Sequence, residues 1–418
     1  METLNPGDII EIRTVKETLQ GALLESHEPG ILLLKLKSGY NLGIEKEDIT
    51  EAKLIKKAEE KPQKVEIKKK DLQEIDIIMT GGTISSRLDY QTGAVKSLTK
   101  PEELLKFYPE ISNIANISIK NPFMLSSENM TPKEWIKIAE LVSQSLNGSV
   151  QGVIVTHGTD TLHYTAAALS FFLQNLNKPL ILTYSQRSSD RASSDANLNL
   201  ICSAKAALSD IAEVMIVGHA SSNDDSCLAI RGTKARKMHT SRRDAFRSIN
   251  SPPLAKITPE KIEKMSQHHI RDNTKKVKLD AKFNEKTALI KFYPGQNPEI
   301  LDYYAKEYNG IVLEMLGLGH VNESWLPKIK KAVDNGLVIC AAPQTIYGRL
   351  NPKVYSPGRL FEKAGILFLE DMLPETAYVK LGWVLAKTKD HEEIKKLMLK
   401  SISGEISSRS EYEESNNL

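Results

Sequence analysis

Four short, nearly continuous apolar runs constrain this chain more than anything else in it. They are Ile75-Asp76-Ile77-Ile78-Met79, Val153-Ile154-Val155, Leu180-Ile181-Leu182 and Val214-Met215-Ile216-Val217. None shows the polar alternation of a half-exposed strand. Strands buried on both faces of a parallel sheet have this composition. Parallel strands need crossovers, and helical stretches stand between the runs. One opens at Thr131-Pro132-Lys133-Glu134, a capping box with proline at the first helical position. Its residues Trp135, Ile138, Leu141 and Val142 keep helical spacing. Another begins near Thr161, with Leu162, Ala166, Leu169 and Leu173 on one face. The alternation predicts a doubly wound α/β domain over 73–275.

Ala288-Leu289-Ile290, Gly310-Ile311-Val312-Leu313 and Gly336-Leu337-Val338-Ile339-Cys340 repeat the pattern on a smaller scale. They predict a second α/β domain over 285–418, with a polar end, Ser407–Leu418, expected to fray. Thr258 to Lys282 is polar and suits a connection between the two domains. Residues 1–52 are of another kind. Asp8-Ile9-Ile10-Glu11-Ile12-Arg13, Gly21-Ala22-Leu23-Leu24-Glu25 and Ile31-Leu32-Leu33-Leu34-Lys35-Leu36 are short β-like runs punctuated by Glu28-Pro29-Gly30 and Ser38-Gly39. They predict a small SH3-like β-barrel. Residues 53–72 are dense in Lys and Glu and predict a charged linker: a solvated spacer, or an arm that contacts nucleic acid.

The 418 residues fit two or three domains at about 150 residues each. Lys and Arg number 56 against 53 Asp and Glu, a net +3, too balanced for a surface built throughout to hold nucleic acid. Cys202, Cys227 and Cys340 are far apart and form no CxxC pair, which argues against a disulfide framework or a cysteine zinc site. The first residues carry no basic and apolar leader pattern, and no apolar run approaches the ~18 residues of a membrane span. The expectation is a soluble cytoplasmic protein with no membrane contact. No GxxxxGK[ST] is present. No GxGxxG follows a strand, and Gly317-Leu318-Gly319 supplies only its first two glycines. So no nucleotide site is expected in this chain. His239 and His268-His269 lack metal-ligand spacing, and no metal is expected. GxSxG is absent too.

Two threonine-rich turns carry the chemistry. Thr80-Gly81-Gly82-Thr83-Ile84 follows the run 75–79, and Thr156-His157-Gly158-Thr159-Asp160-Thr161 follows the run 153–155. In open α/β sheets ligands bind beyond the carboxyl ends of strands, where both turns lie. Paired glycines let a substrate approach the backbone, and the hydroxyls after them are exposed. A threonine hydroxyl attacks only with a base nearby and its oxyanion stabilised. The candidate activators are Tyr90, Asp160 and a lysine from Lys234-Ala235-Arg236-Lys237.

With these motifs in this order, residues 73–418 resemble the L-asparaginase family. The resemblance implies an L-asparaginase-like fold, two α/β domains with parallel sheets. By position it makes Thr83 the nucleophile and Tyr90, in Tyr90-Gln91-Thr92-Gly93, the tyrosine of a loop that closes over the substrate. Thr159 and Asp160 take the places of the second threonine and the aspartate. Lys237, nine residues before Phe246, matches the active-site lysine. Ser127, in Ser126-Ser127-Glu128-Asn129-Met130, matches a serine that holds the substrate's α-carboxylate; Glu128 and Gly82 join it as substrate-binding residues. The implied reaction is attack of Thr83 on a side-chain amide, loss of ammonia and hydrolysis of the acyl-enzyme. Asp160 would also grip the α-amino group. The resemblance leaves the family's C-domain glutamate open among Glu314, Glu362 and Glu370.

The chain departs from free asparaginases in two ways. It has a β domain in front, and Arg231–Asp244 holds six Lys/Arg against one Asp. That run is expected to be a solvated face, or a docking patch for an RNA or a partner. The combination resembles the D-subunit family of archaeal Glu-tRNA(Gln) amidotransferases. This implies an ammonia source for a partner, the E subunit, which binds Glu-tRNA(Gln) and uses ATP and Mg to activate the misacylated glutamate. It further implies a homodimeric core, a heterotetramer, and no cofactor in this chain. A free cytoplasmic L-asparaginase or glutaminase is the alternative.

Overall fold

A computed structural model describes residues 4–5, 7–24, 30–36, 41–57, 71–88, 95–97, 104–105, 108–188 and 193–410. Tyr90 and most of the expected linker, 58–70, lie outside the described residues.

The N-terminal part is an antiparallel sheet of β1 (Ile9–Thr14), β2 (Thr18–Leu24), β3 (Ile31–Leu36), β4 (Asn41–Glu45) and β5 (Ile49–Lys56), ordered β4-β3-β2-β1-β5. Alternate residues of β1, Ile10 and Ile12, turn inward to meet Leu23, Leu34 and Ile44. Gly21 has no alternative: a β carbon there would stand 2.2 Å from the Lys35 carbonyl oxygen. β5 continues to Lys56 beside β1, so the edge strand takes in the first residues assigned above to the linker.

The second unit runs through β6 (Glu74–Met79), β7 (Asn116–Lys120), α1 (Pro132–Leu146), β8 (Val153–Thr156), α2 (Leu162–Phe172), β9 (Leu180–Thr183), α3 (Ala196–Leu208) and β10 (Val214–His219). It then adds β11 (Cys227–Arg231), the hairpin β12 (Ala235–Lys237) and β13 (Phe246–Ser248), and β14 (Ala255–Ile257) with β15 (Ile262–Lys264). Eight strands form one sheet in the order β15-β14-β11-β10-β9-β8-β6-β7. The five from β7 to β10 are parallel, and β8, β9 and β10 are buried along their whole length. β11, β14 and β15 are antiparallel, so the sheet is mixed rather than purely parallel. The segment 258–282 is therefore only partly a connection. It gives the sheet its last strand, β15, and Lys278-Leu279 pairs with Leu173-Gln174. The capping box closes α1: Glu134 accepts from the Thr131 amide at 2.8 Å, and the Thr131 hydroxyl accepts from the Lys133 amide.

The third unit is a four-stranded parallel sheet of β16 (Thr287–Lys291), β17 (Gly310–Met315), β18 (Val338–Pro343) and β19 (Leu367–Phe368) in sequence order. Its helices are α4 (Ile300–Glu307), α5 (Leu326–Asp334), α6 (Ser356–Lys363), α7 (Pro374–Leu385) and α8 (His391–Leu399). α7 is apolar on nearly every face and buried from Pro374 to Ala377. One hydrophobic cluster spans both α/β units: Phe171 of α2 stacks on Trp383 of α7, with ring centroids 5.8 Å apart. Burial of large aromatics on both sides makes this a firm contact rather than a loose interdomain one.

Candidate active site

Two turns, a loop and a hairpin build the site. β6 and β8 are adjacent and parallel, with Met79 opposite Thr156, so the turns after them leave the sheet side by side. Thr80 crosses the gap: its hydroxyl donates to the Thr156 carbonyl at 2.7 Å. Its own carbonyl accepts from the Leu125 amide at 2.9 Å, which brings in the 125–129 loop. Glycines make this crowding sterically feasible. A β carbon on Gly81 (φ +124°) would lie 2.2 Å from the Leu125 oxygen, and one on Gly82 (φ +81°) 2.5 Å from the Gly158 nitrogen. One on Gly158 would lie 2.8 Å from the Ser127 β carbon. Bare backbone at these positions packs three segments into van der Waals contact. Thr83 and Thr159, each next in sequence to one of the touching glycines, stand half-buried on adjoining turns.

The hairpin completes the group. β12 pairs with β13 with Lys237 opposite Phe246, which is why those two residues keep a fixed interval. Lys237 Nζ donates to Thr159 Oγ1 at 2.7 Å and to Asp160 Oδ1 at 2.8 Å. The lysine side chain is 10% exposed, whereas that of Asp160 is 68% exposed. One end of the pair is thus sheltered and the other opens outward. The Asp160 amide donates to Ser127 Oγ at 3.2 Å, and Thr161 Oγ1 donates to the Ser127 carbonyl at 2.6 Å. Ser127 is buried with its hydroxyl proton uncommitted to these bonds. Glu128, beside it on the same short turn, is exposed.

Two buried histidines missed in the sequence lie by the site, and His157 ties it down. His157 is wholly buried; Nδ1 lies 2.7 Å from the Gly158 carbonyl and Nε2 2.9 Å from Thr165 Oγ1. A carbonyl only accepts, so Nδ1 carries the proton and Nε2 receives the threonine's. Burial pushes this imidazole down to about 4, so it is neutral at pH 7 and ties the turn to α2. His163, also on α2, is driven to about 3, chiefly by burial and then by the nearby charges of Arg236 and Lys237.

The three candidate glutamates do not join these residues. Glu314 on β17 has its carboxyl pushed upward, mainly by burial. Glu362 pairs with Lys353, and Glu370 pairs with Arg349 at 3.4 Å. None makes a hydrogen bond or ion pair with Thr83, Thr159, Asp160 or Lys237 among the described residues.

The cations of the basic run 231–244 are paired largely inside the molecule, while 238–242 is exposed. Arg231 pairs with Glu213 at 3.1 Å, Lys234 with Asp371 at 2.8 Å and Arg236 with Glu375 at 3.2 Å. Lys237 takes Asp160; Arg242 takes Asp244 at 2.8 Å and Arg243 takes Asp224 at 2.6 Å. No group of His, Cys, Asp and Glu suited to a metal occurs among the described residues, and all three cysteines are free and buried. No described helix is long and apolar enough to cross a membrane.

Residues 74–270 match the asparaginase N-terminal domain, and residues 286–398 the glutaminase/asparaginase C-terminal domain. A thermostable L-asparaginase from Thermococcus kodakarensis has the same fold, with a TM-score of 0.74 and 28% identity over 81% of this chain and all of that one. The two α/β units are therefore of the asparaginase class. Residues 4–55 match the GatD N-terminal domain, which that asparaginase match does not need. The D subunit of the glutamyl-tRNA(Gln) amidotransferase of Pyrococcus furiosus is 52% identical over 96% of this chain and 94% of its own length. Its counterpart from Pyrococcus abyssi is 49% identical over 96% and 95%. The chain belongs to the D-subunit family of glutamyl-tRNA(Gln) amidotransferases.

Proposed function

We infer that this chain is the amidase subunit of a glutamyl-tRNA(Gln) amidotransferase rather than a free asparaginase. It releases ammonia from a side-chain amide for use on Glu-tRNA(Gln). Full-length identity to named D subunits, including the 4–55 domain, carries this conclusion.

For the site, the observation of most weight is Lys237 bridging Thr159 and Asp160 beside the Gly82–Gly158 contact. In our reading Thr83 Oγ attacks the amide carbon of glutamine or asparagine as its proton passes to the Thr159–Lys237–Asp160 group. The C–N bond then breaks, and the amide nitrogen takes a proton to leave as ammonia. Water cleaves the ester and restores the Thr83 hydroxyl. The exposed Asp160 carboxylate receives the substrate's α-ammonium, and the Ser127 hydroxyl donates to its α-carboxylate. Gly82, packed against Gly158, offers the substrate its backbone, Glu128 stands at the mouth, and Tyr90 closes over the bound amide. ATP and Mg are used by the partner, the E subunit, which holds most of the Glu-tRNA(Gln). A homodimer of this chain with two partners makes a cytoplasmic heterotetramer.

The test is ammonia release by the purified chain, alone and after addition of the E subunit and Glu-tRNA(Gln). A large rise on addition supports the reading. Full release alone, unchanged by the additions, refutes the amidotransferase role.

A further inference from the structure

Lys237 is the last residue of a strand whose preceding residues are fastened to the other α/β unit. The fastening begins at Thr233. Its carbonyl accepts from Thr376 Oγ1 at 3.0 Å, and its hydroxyl donates to the Ser403 carbonyl at 2.9 Å. Lys234, wholly buried, donates to Asp371 Oδ2 at 2.8 Å. Arg236 pairs with Glu375 at 3.2 Å. Lys234 lies in the turn just before the strand, and within the strand Arg236 and its neighbour Lys237 point to opposite sides. Glu375 lies in the first turn of α7 and Asp371 just before that helix begins, so the segment leading to Lys237 is held at two points by the entry to α7.

The receiving end is itself braced. Asp371 Oδ1 accepts from the Ser407 amide at 3.0 Å, so the tail expected to fray is fastened at its first residue. Glu405, fully buried, pairs with Lys380 of α7 at 2.6 Å and accepts from the Ile402 and Ser403 amides. The 401–407 strap, α7 and the strand leading to Lys237 form one hydrogen-bonded block.

We propose that Glu375 and Thr376, at the start of α7, are positioning residues for amide hydrolysis: through Arg236 and Thr233 they set where Lys237 meets Thr159 and Asp160. This rests on Lys237 belonging to the proton-transfer group, as given above. The group has contacts of 2.7–2.8 Å, and a displacement of about 1 Å in such a constellation costs on the order of 10²-fold in rate. The second α/β unit thereby acts on the chemistry of the first without touching substrate.

The experiment measures kcat and KM for ammonia release from glutamine and from asparagine, in the state of the protein that gives full activity. The variants are Glu375→Ala, Glu375→Gln, Thr376→Val and Lys237→Met, each checked for fold by circular dichroism and thermal melting. Glu375→Ala lowers kcat by roughly 10–100-fold with KM within about threefold. Glu375→Gln, which keeps an acceptor for Arg236, recovers most of it. Thr376→Val lowers kcat several-fold and stands in if Glu375→Ala does not fold. Folded Glu375→Ala and Thr376→Val proteins with unchanged kcat, beside an inactive Lys237→Met, overturn the proposal. A loss that only tracks the fraction unfolded, with no rescue by Gln, overturns it as well. An active Lys237→Met instead overturns the assignment of Lys237 on which the proposal stands.

Discussion

Two lysines three residues apart make the most instructive comparison in the molecule. Lys234 and Lys237 each donate 2.8 Å to an aspartate. Lys234 and Asp371 are 0% and 1% exposed; Asp160 opposite Lys237 is 68% exposed. A buried pair has already given up its water and exists only while both partners are present. An open pair keeps one charge for a ligand to use. The same two residue types, one in the turn before the strand and one at the strand's end, therefore serve the interface between the α/β units in one case and the candidate site in the other. Burial, rather than chemistry of the side chain, separates the roles.

The comparison can be broken by removing one lysine at a time. Lys234→Met leaves the buried Asp371 with only the Ser407 amide and a 3.5 Å contact to Arg349, and the cost is at most about 3–5 kcal/mol of stability. Denaturant unfolding reads this directly. A partial recovery in Lys234→Met/Asp371→Leu would show that the loss is one of stranded charge. Lys237→Met should do the reverse. Its melting curve stays close to that of the parent, since Asp160 is left in water, while ammonia release falls by roughly 10²–10³-fold. If Lys234→Met lowers activity without lowering stability, or Lys237→Met unfolds the protein, the division between the two lysines is wrong.

A smaller effect sharpens the comparison through pH. His157, buried within the second threonine turn, has its imidazole held near 4, against about 6.5 when unfolded. The unfolded chain thus binds the proton more readily between these values. Stability contributed by the neutral histidine is complete above pH 6.5 and is lost as pH falls towards 4, by roughly 3 kcal/mol in total. Stability curves of the parent and of His157→Gln should converge on acidification. Parallel curves would remove His157 from the acid sensitivity.

What is legible in the sequence follows the same line between local and distant. The strands 75–79, 153–155, 180–182 and 214–217 stand where their apolar runs put them, because burial on both faces leaves a mark in every residue. The glycine-threonine turns are legible since each site segment is contiguous. The antiparallel strands β14 and β15 are not, being three residues each and set among polar residues. The basic run misleads for a different reason. Its cations find Asp371 and Glu375 more than 130 residues later, and nothing local in Lys234-Ala235-Arg236 announces a partner that distant. Lys237 escapes that difficulty only through the family pattern.

The most direct test of the central claim is formation of Gln-tRNA(Gln) by the assembled enzyme carrying Thr83→Val. Val keeps the shape of the side chain and deletes the hydroxyl. Synthesis driven by glutamine or asparagine disappears, while synthesis driven by added ammonium salt continues at the parent rate. Synthesis from glutamine that survives the substitution would contradict Thr83 as nucleophile, and loss of the ammonium-driven reaction as well would contradict the division of labour between the subunits.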